Sequence, residues 1–207
     1  MKASSVIFAL GGVVFGLVVG WVIGDQQAKQ AQQTAAAAAS VQAAPAGDPG
    51  AQRQAPPLDE GKAQALKTVA DKDTKNARVR TELANLYFDA ERYPEAIGWY
   101  EQAYALDPKN VNLSTDLGVS YYYTNQADKA LAQFDKSLAL DPTHVKTLLN
   151  QGIVRAFGKQ DMAGASESWQ KVVDVAPGTP EAAAAQRALE SIRSAAHQAS
   201  GAAPAGN

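Results

Sequence analysis

Apolar residues in the middle of the chain fall at helical spacing and keep falling there. Leu83, Ala84 and Tyr87 lie at i, i+1 and i+4, so they share one helix face. Ala96, Tyr100 and Ala103 do the same in the next stretch. Polar residues fill the positions between them. The pattern then repeats: Leu83, Ala84, Tyr87, Ala96, Tyr100 and Pro108 are each followed, 34 residues on, by Leu117, Gly118, Tyr121, Ala130, Phe134 and Pro142. A blurred third copy runs through Gly152, Ala165, Trp169 and Pro177. The offset is still 34 from Gly118 to Gly152 but 35 from Ala130 to Ala165, which places one extra residue in the turn around Gly158 to Asp161.

These stretches predict paired helices at about 77–89 and 93–106, 111–123 and 127–140, then 144–157 and 162–175. Asn76 and Asn110 suit N-cap positions, and Pro94 suits a first helical turn. Pro108 and Pro142 stop the second helix of each pair, because proline lacks the amide donor and clashes with the preceding turn. Ala84 or Gly118 opposite Ala96 or Ala130 lets two antiparallel helices approach to roughly 8 Å. The larger Leu83, Tyr87 and Tyr100 fill the layer between successive hairpins. A helix over Leu58–Asp71, with Ala63, Leu66, Val69 and Ala70 on one face, caps the first hairpin. A last helix opens at Thr179-Pro180 and runs to about Ala196, with Ala185, Leu189, Ile192 and Ala196 inward. Stacked repeats need such polar-backed ends.

The L-G/A-x2-Y, A-x3-F/Y, P pattern with its period of 34 resembles the tetratricopeptide repeat. The resemblance covers Ala77 to Pro177. It weakens in the third copy, where Gln151 stands for leucine and Arg155 for tyrosine. It implies an all-α solenoid of about three helical hairpins, with repeats at about 77–110, 111–144 and 145–179 and a capping helix over 180–196. It also implies a concave face lined by the first helix of each hairpin, used to bind a protein or peptide. Counting off the core positions leaves Arg78, Thr81, Glu82, Asn85, Phe88 and Asp89 from the first copy. The second supplies Asn112, Thr115, Asp116, Val119, Tyr122 and Tyr123, and the third Lys146, Leu149, Asn150, Ile153 and Phe157. The competing reading is that some of these fill the core, Tyr123 and Phe157 first. One variant of the family holds a C-terminal carboxylate in a two-carboxylate clamp. Asn85 and Lys146 match it, whereas Thr81, Asp116 and Asn150 stand where Lys, Asn and Arg would be needed, and Asp116 would repel a carboxylate.

Ahead of the repeats the hydropathy changes character. Ala3 to Gly24 carries no charge, and Val6 to Ile23 is nearly all Val, Ile, Leu, Phe and Gly. At 1.5 Å per residue, such a run spans the roughly 30 Å hydrocarbon core, so residues 1–25 are expected to be a signal-anchor helix. A cleaved signal peptide is the alternative. Its apolar region is usually shorter, about 7–15 residues, and a small-x-small site follows it directly. Here Gly24-Asp25-Gln26-Gln27-Ala28-Lys29 follows instead. Lys2 before the span and Asp25 after it put the N-terminus in the cytoplasm and the repeats outside, which is the periplasm for a bacterial inner membrane. Gly12, Gly16, Gly20 and Gly24 recur every four residues on one face, a seam through which two membrane helices could pair as a homodimer. Residues 26–57 read as an Ala/Gln-rich stalk and linker, and 197–207 as a tail.

Composition narrows the function classes. The formal net charge of -2 gives no basic surface for nucleic acid, and there is no cysteine for a disulfide or a thiolate metal site. The two histidines, His144 and His197, read as a solvated turn residue and a tail residue. No phosphate-cradling loop, HExxH or nucleophile triad is suggested by spacing, so no catalytic residue, metal or cofactor is expected. The expected function is a membrane-anchored scaffold or adaptor that binds another protein in the envelope. An assembly factor or chaperone-like client-binding subunit, for example of cytochrome c maturation type, is the second reading. A secreted soluble adaptor, after signal cleavage, is the third.

Overall fold

The computed structural model describes residues 55–201. The expected membrane helix, its glycine seam, most of the stalk and the last residues of the tail lie outside them. Among the described residues there are eight α-helices and no strand: α1 (Glu60–Lys72), α2 (Ala77–Asp89), α3 (Tyr93–Leu106), α4 (Val111–Tyr123), α5 (Ala127–Leu140), α6 (Val145–Ile153), α7 (Met162–Val175) and α8 (Pro180–Gly201). Each helix packs mainly on its sequence neighbours, pairing α2 with α3, α4 with α5, and α6 with α7. The domain is an all-helical repeat solenoid.

Local chemistry sets the helix starts. The side chains of Asp59, Asn76, Asn110 and Asp161 accept the backbone amides of Lys62, Val79, Leu113 and Gly164, each satisfying one orphan donor. Pro94 sits in the first turn of α3, where no amide is needed. The end of α1 is closed by a side chain from α2. The Arg80 guanidinium donates to Ala70 O, Asp73 O and Asn76 O at 3.1–3.2 Å, and Arg80 is buried in doing so.

Packing inside the hairpins follows a size rule. Ala84, Gly118 and Gly152 are the small residues of the three first helices, and Tyr100, Phe134 and Trp169 are the large ones facing them. A Cβ added to Gly118 would lie 2.5 Å from Phe134 Cε1, and one added to Gly152 would collide with the Trp169 indole. The close approach is therefore glycine to aromatic ring; against Ala130 the nearest atom is its carbonyl oxygen. Trp169 also donates its indole N–H to Leu149 O at 3.1 Å.

The third hairpin departs from expectation in an informative way. Its first helix does not run regularly to Phe157; α6 ends at Ile153 and continues as a π-helical segment, Val154–Gly158. The extra residue is absorbed there and not in the turn. All three turns have the same build, each with one residue of positive φ: Glu91 (55°), Asn125 (65°) and Gln160 (57°). From Asn125 to Gln160 the offset is already 35, so the insertion precedes the turn. Gln151 and Arg155, the two departures from the repeat pattern, are polar bridges. Gln151 donates to Asp135 at 3.0 Å and accepts from Ser168 at 3.0 Å, while Arg155 donates to Gly164 O at 3.0 Å.

Two further expectations change. Val69 is 44% exposed, leaving Ala63 and Ala70 as the buried stripe of α1. Helix α8 passes Ala196 and reaches Gly201, with Ala182, Ala185, Ala188 and Leu189 buried against the stack.

Candidate functional site

The first helices of the hairpins, α2, α4 and α6, carry the predicted groove residues, and the structure sorts them into two groups. Arg78, Thr81, Glu82, Asn85, Phe88, Asp89, Asn112, Asp116, Tyr122, Tyr123, Lys146 and Phe157 are exposed or half-buried. Thr115, Val119, Leu149, Asn150 and Ile153 are interior. For Leu149, Asn150 and Ile153 the reason is neighbourhood: α6 packs against α4, α5, α7 and α8, so side chains equivalent to the half-buried Thr81, Glu82 and Asn85 of α2 are covered in α6.

Thr115 belongs to a hydrogen-bonded seam that joins the second and third hairpins. Thr115 Oγ1 lies 2.7 Å from Thr147 Oγ1, and Thr147 Oγ1 lies 2.7 Å from His144 Nδ1. His144 Nε2 reaches Asn112 Oδ1 at 3.1 Å. Inward from Thr115, Ser137 donates to Ser114 at 2.8 Å and Gln133 donates to Ser114 at 2.9 Å. Ser114, Thr115, Ser137 and Thr147 are fully buried. Every buried polar side-chain atom among the described residues has a partner, so the seam meets the requirement that lets polar groups sit in a core. His144 is therefore the N-cap residue of α6 and a bridge to α4, not a solvated turn residue. Asn112 on the outer end of this seam is structural as much as it is surface.

The exposed half carries two charge pairs. Lys146 donates to Asp116 at 2.5 Å, joining α6 to α4, and Arg78 to Glu82 at 2.5 Å along α2. Tyr100, buried on α3, donates its hydroxyl to Asn85 Oδ1 at 2.5 Å, which fixes the amide. Burial raises the Tyr100 phenol well above its ordinary range, with Asp116 and Asp89 adding to the effect. Asp89 itself is raised, first by partial desolvation of its carboxylate and then by Asp116, against an opposing pull from Lys62. Asn85 and Tyr100 thus meet between α2 and α3, and Asp116 meets Lys146 between α4 and α6.

An aromatic cluster lies at the turn end of the hairpins. Phe88 meets Tyr93 edge-on at 5.3 Å and Tyr123 edge-on at 5.7 Å; Tyr93 and Tyr123 stack at 4.5 Å. Tyr122 is 6.0 Å from Tyr123, and a Cβ at Gly158 would lie 3.3 Å from the Tyr122 ring. Phe88 and Tyr122 are half-buried and help to bind hairpin to hairpin. Tyr93 was not among the predicted residues; its place beside Pro94 in a first helical turn hides that its ring spans two repeats. Tyr121, expected in the core, is half-buried, with its hydroxyl donating to Glu101 at 2.6 Å and Lys129 over its ring at 5.4 Å.

Among the described residues no three His, Asp or Glu side chains converge as metal ligands would, and no helix is long and apolar enough to cross a membrane.

A family model described as TPR repeat matches residues 84–123. No curated protein matches the sequence significantly. Among solved structures, the first TPR of Spaghetti (RPAP3) bound to the HSP90 peptide SRMEEVD is similar at 27% identity and a TM-score of 0.54. That match covers 60% of this chain and 96% of the other. The first TPR domain of human RPAP3 gives 26% identity and a TM-score of 0.54 over 61% and 96%. MamA, at 17% identity and a TM-score of 0.56 over 68% and 90%, shares the fold.

Proposed function

We propose that this chain is a protein-interaction module that takes a segment of another protein on the face made by α2, α4 and α6. The observation that carries the reading is that the first helices of successive repeats bring aromatic and charged side chains together across repeats: Phe88 of α2 meets Tyr123 of α4 edge-on, and Lys146 of α6 pairs with Asp116 of α4. Aromatic anchors flanked by polar groups are the side chains that dominate protein interfaces. The RPAP3 domain, similar over nearly its whole length, has a peptide bound. The module acts as a scaffold or adaptor.

The uncharged stretch Ala3–Gly24, with Lys2 before it and Asp25 after it, supports an anchor in the inner membrane that holds the repeats in the periplasm. The four glycines at every fourth position support pairing of two such anchors.

Site-specific photocrosslinking tests the face. A photoreactive residue at Asp89 or Asn85 is expected to trap a partner protein, and one at Gln102 or Ala139, on the second helices, is not. Trapping only from Gln102 and Ala139 would overturn the assignment. For the anchor, a reporter active only outside the cytoplasm, fused after Asn207, is expected to work. Activity only from a cytoplasmic reporter there excludes the topology, and a mature chain lacking the first residues makes it a secreted adaptor.

A further inference from the structure

We infer that the groove between α7 and α8 docks an amphipathic helix of another protein, apolar on one face and acidic along its flanks. That helix stands to α8 as a second helix stands to the first helix of its hairpin. None of the residues lining this groove belongs to the face of α2, α4 and α6.

Repeat equivalence shows what this groove lacks. Each inner first helix is shared between the second helix before it and the second helix after it. Tyr121 of α4 donates its hydroxyl to Glu101 of α3 and carries Lys129 of α5 over its ring at 5.4 Å. One repeat on, Gln151 of α6 joins Asp135 of α5 to Ser168 of α7, and Arg155 donates to Gly164 O of α7. Ala185 and Leu189 of α8 stand 34 residues after Gln151 and Arg155, so α8 takes the place of a fourth first helix. It packs on α7 and α6, and among the described residues no helix follows to cover its other side. An open groove of about 490 Å³ is left there, with Leu189 and Ile192 as its apolar lining. The charges around it decide the occupant. Lys171 of α7 and Arg193 of α8 are exposed cations with no hydrogen-bond or ion-pair partner among the described residues. Glu167 is the one acid among the lining residues. A helix whose apolar stripe lies on Leu189 and Ile192 sets its flanking positions beside the two cations, where Asp or Glu is favoured over Lys or Arg. The stripe then supplies affinity, and the rim charges select the partner.

The test is selection on the 207-residue chain from a display library of four-turn helices with a fixed leucine stripe and randomised flanks, followed by titration of the selected helices. Selected helices are expected to gather Asp and Glu at the flanks. Lys171→Glu combined with Arg193→Glu, both at exposed positions, should weaken binding about tenfold. Lys in place of the selected acids should restore binding to that variant. Ile192→Asp should abolish binding, with a thermal melt run beside it, and Asp89→Asn on α2 should leave it unchanged. Helices held equally by the wild-type chain and the double charge reversal, or no selected helix at all, would overturn the inference. A dimer in sedimentation equilibrium that Ile192→Asp dissociates would make a second copy the occupant and overturn it too. Binding that emerges only after removal of residues 202–207 would do the same, by assigning the groove to the chain's own last residues.

Discussion

Tyr93 and Tyr123 stack face to face, with centroids 4.5 Å apart and planes 8° from parallel. Tyr93 opens the second helix of the first hairpin, and Tyr123 closes the first helix of the second. The stack ties consecutive repeats at their turn end. Phe88 meets both rings edge-on.

A double-mutant cycle measures this tie. Tyr93→Leu and Tyr123→Leu keep apolar bulk and remove the ring pair. Their coupling in denaturant titrations is expected to be about 0.5–1.5 kcal/mol. Additive losses would mean that the rings contribute only through buried area.

The same tyrosines set an alkaline limit. Burial, with Glu91 adding, pushes the Tyr93 phenol up to about 12, and burial also raises Tyr121, Tyr122 and Tyr123 above their ordinary range. A group raised in the folded state favours folding below its unfolded pKa, near 10 for tyrosine, and that contribution is lost as pH rises through the folded value. Stability should therefore be steady up to about pH 10 and fall between about 10 and 12. Phenolate absorbance should rise late and together with loss of helical circular dichroism. Full ionisation of the tyrosines near their ordinary pKa, with the helices intact, would contradict these environments.

Much of the fold is readable in the sequence because small-against-large packing is chemically narrow. Gly118 opposite Phe134 and Gly152 opposite Trp169 admit nothing bigger, and Asn76 and Asn110 fix where helices begin. The extra residue of the third repeat is not readable in that way. Spacing shows that it exists, but a turn and a π-helical segment absorb it equally well on paper, and only the repeated positive φ at Gln160 locates it before the turn. The proposed face is half legible. Asp89 is exposed, whereas Asp116 and Lys146 are half-buried in the pair they form with each other. Ser114 and Thr115 are polar and yet buried, because the Ser114 hydroxyl pairs with Ser137 within the second hairpin and the Thr115 hydroxyl with Thr147 of the third. Leu149 and Ile153 are equivalent to half-buried or interior residues of other repeats and are closed off by the neighbours of α6.

Glycine tolerance gives a sharp contrast. At Gly118 a methyl group would press into Phe134, whereas at Gly98 in α3 it would meet nothing within 4 Å. Gly118→Ala should cost on the order of 1–3 kcal/mol, the overpacking range. Gly98→Ala should stabilise by about 0.5–1 kcal/mol through helix propensity. Chemical denaturation of both variants checks the register of the second hairpin; equal effects would show that Gly118 does not face Phe134.

The polar seam makes the last prediction, because burying hydroxyls is favourable only while they are paired. Thr115→Val preserves shape but leaves Thr147 Oγ1 without one of its two side-chain partners, in a place closed to water. The hydrogen bond lost in this closed site should cost about 0.5–1.5 kcal/mol. Changing both threonines removes the pair, and His144, being half-buried, can turn to water for its lost contact. Replacing both members of a hydrogen bond by apolar groups of like shape is often close to neutral, so Thr115→Val with Thr147→Val should cost less than the two single changes added together. Thr68→Val, at an exposed site on α1 where the hydroxyl only bonds back to Gln64 O, supplies the surface reference. Urea titrations of the four variants, compared at unchanged slope, decide the matter. If Thr115→Val costs no more than Thr68→Val, the second and third hairpins are held by apolar contacts alone, and the seam from Asn112 to Gln133 contributes nothing to their register.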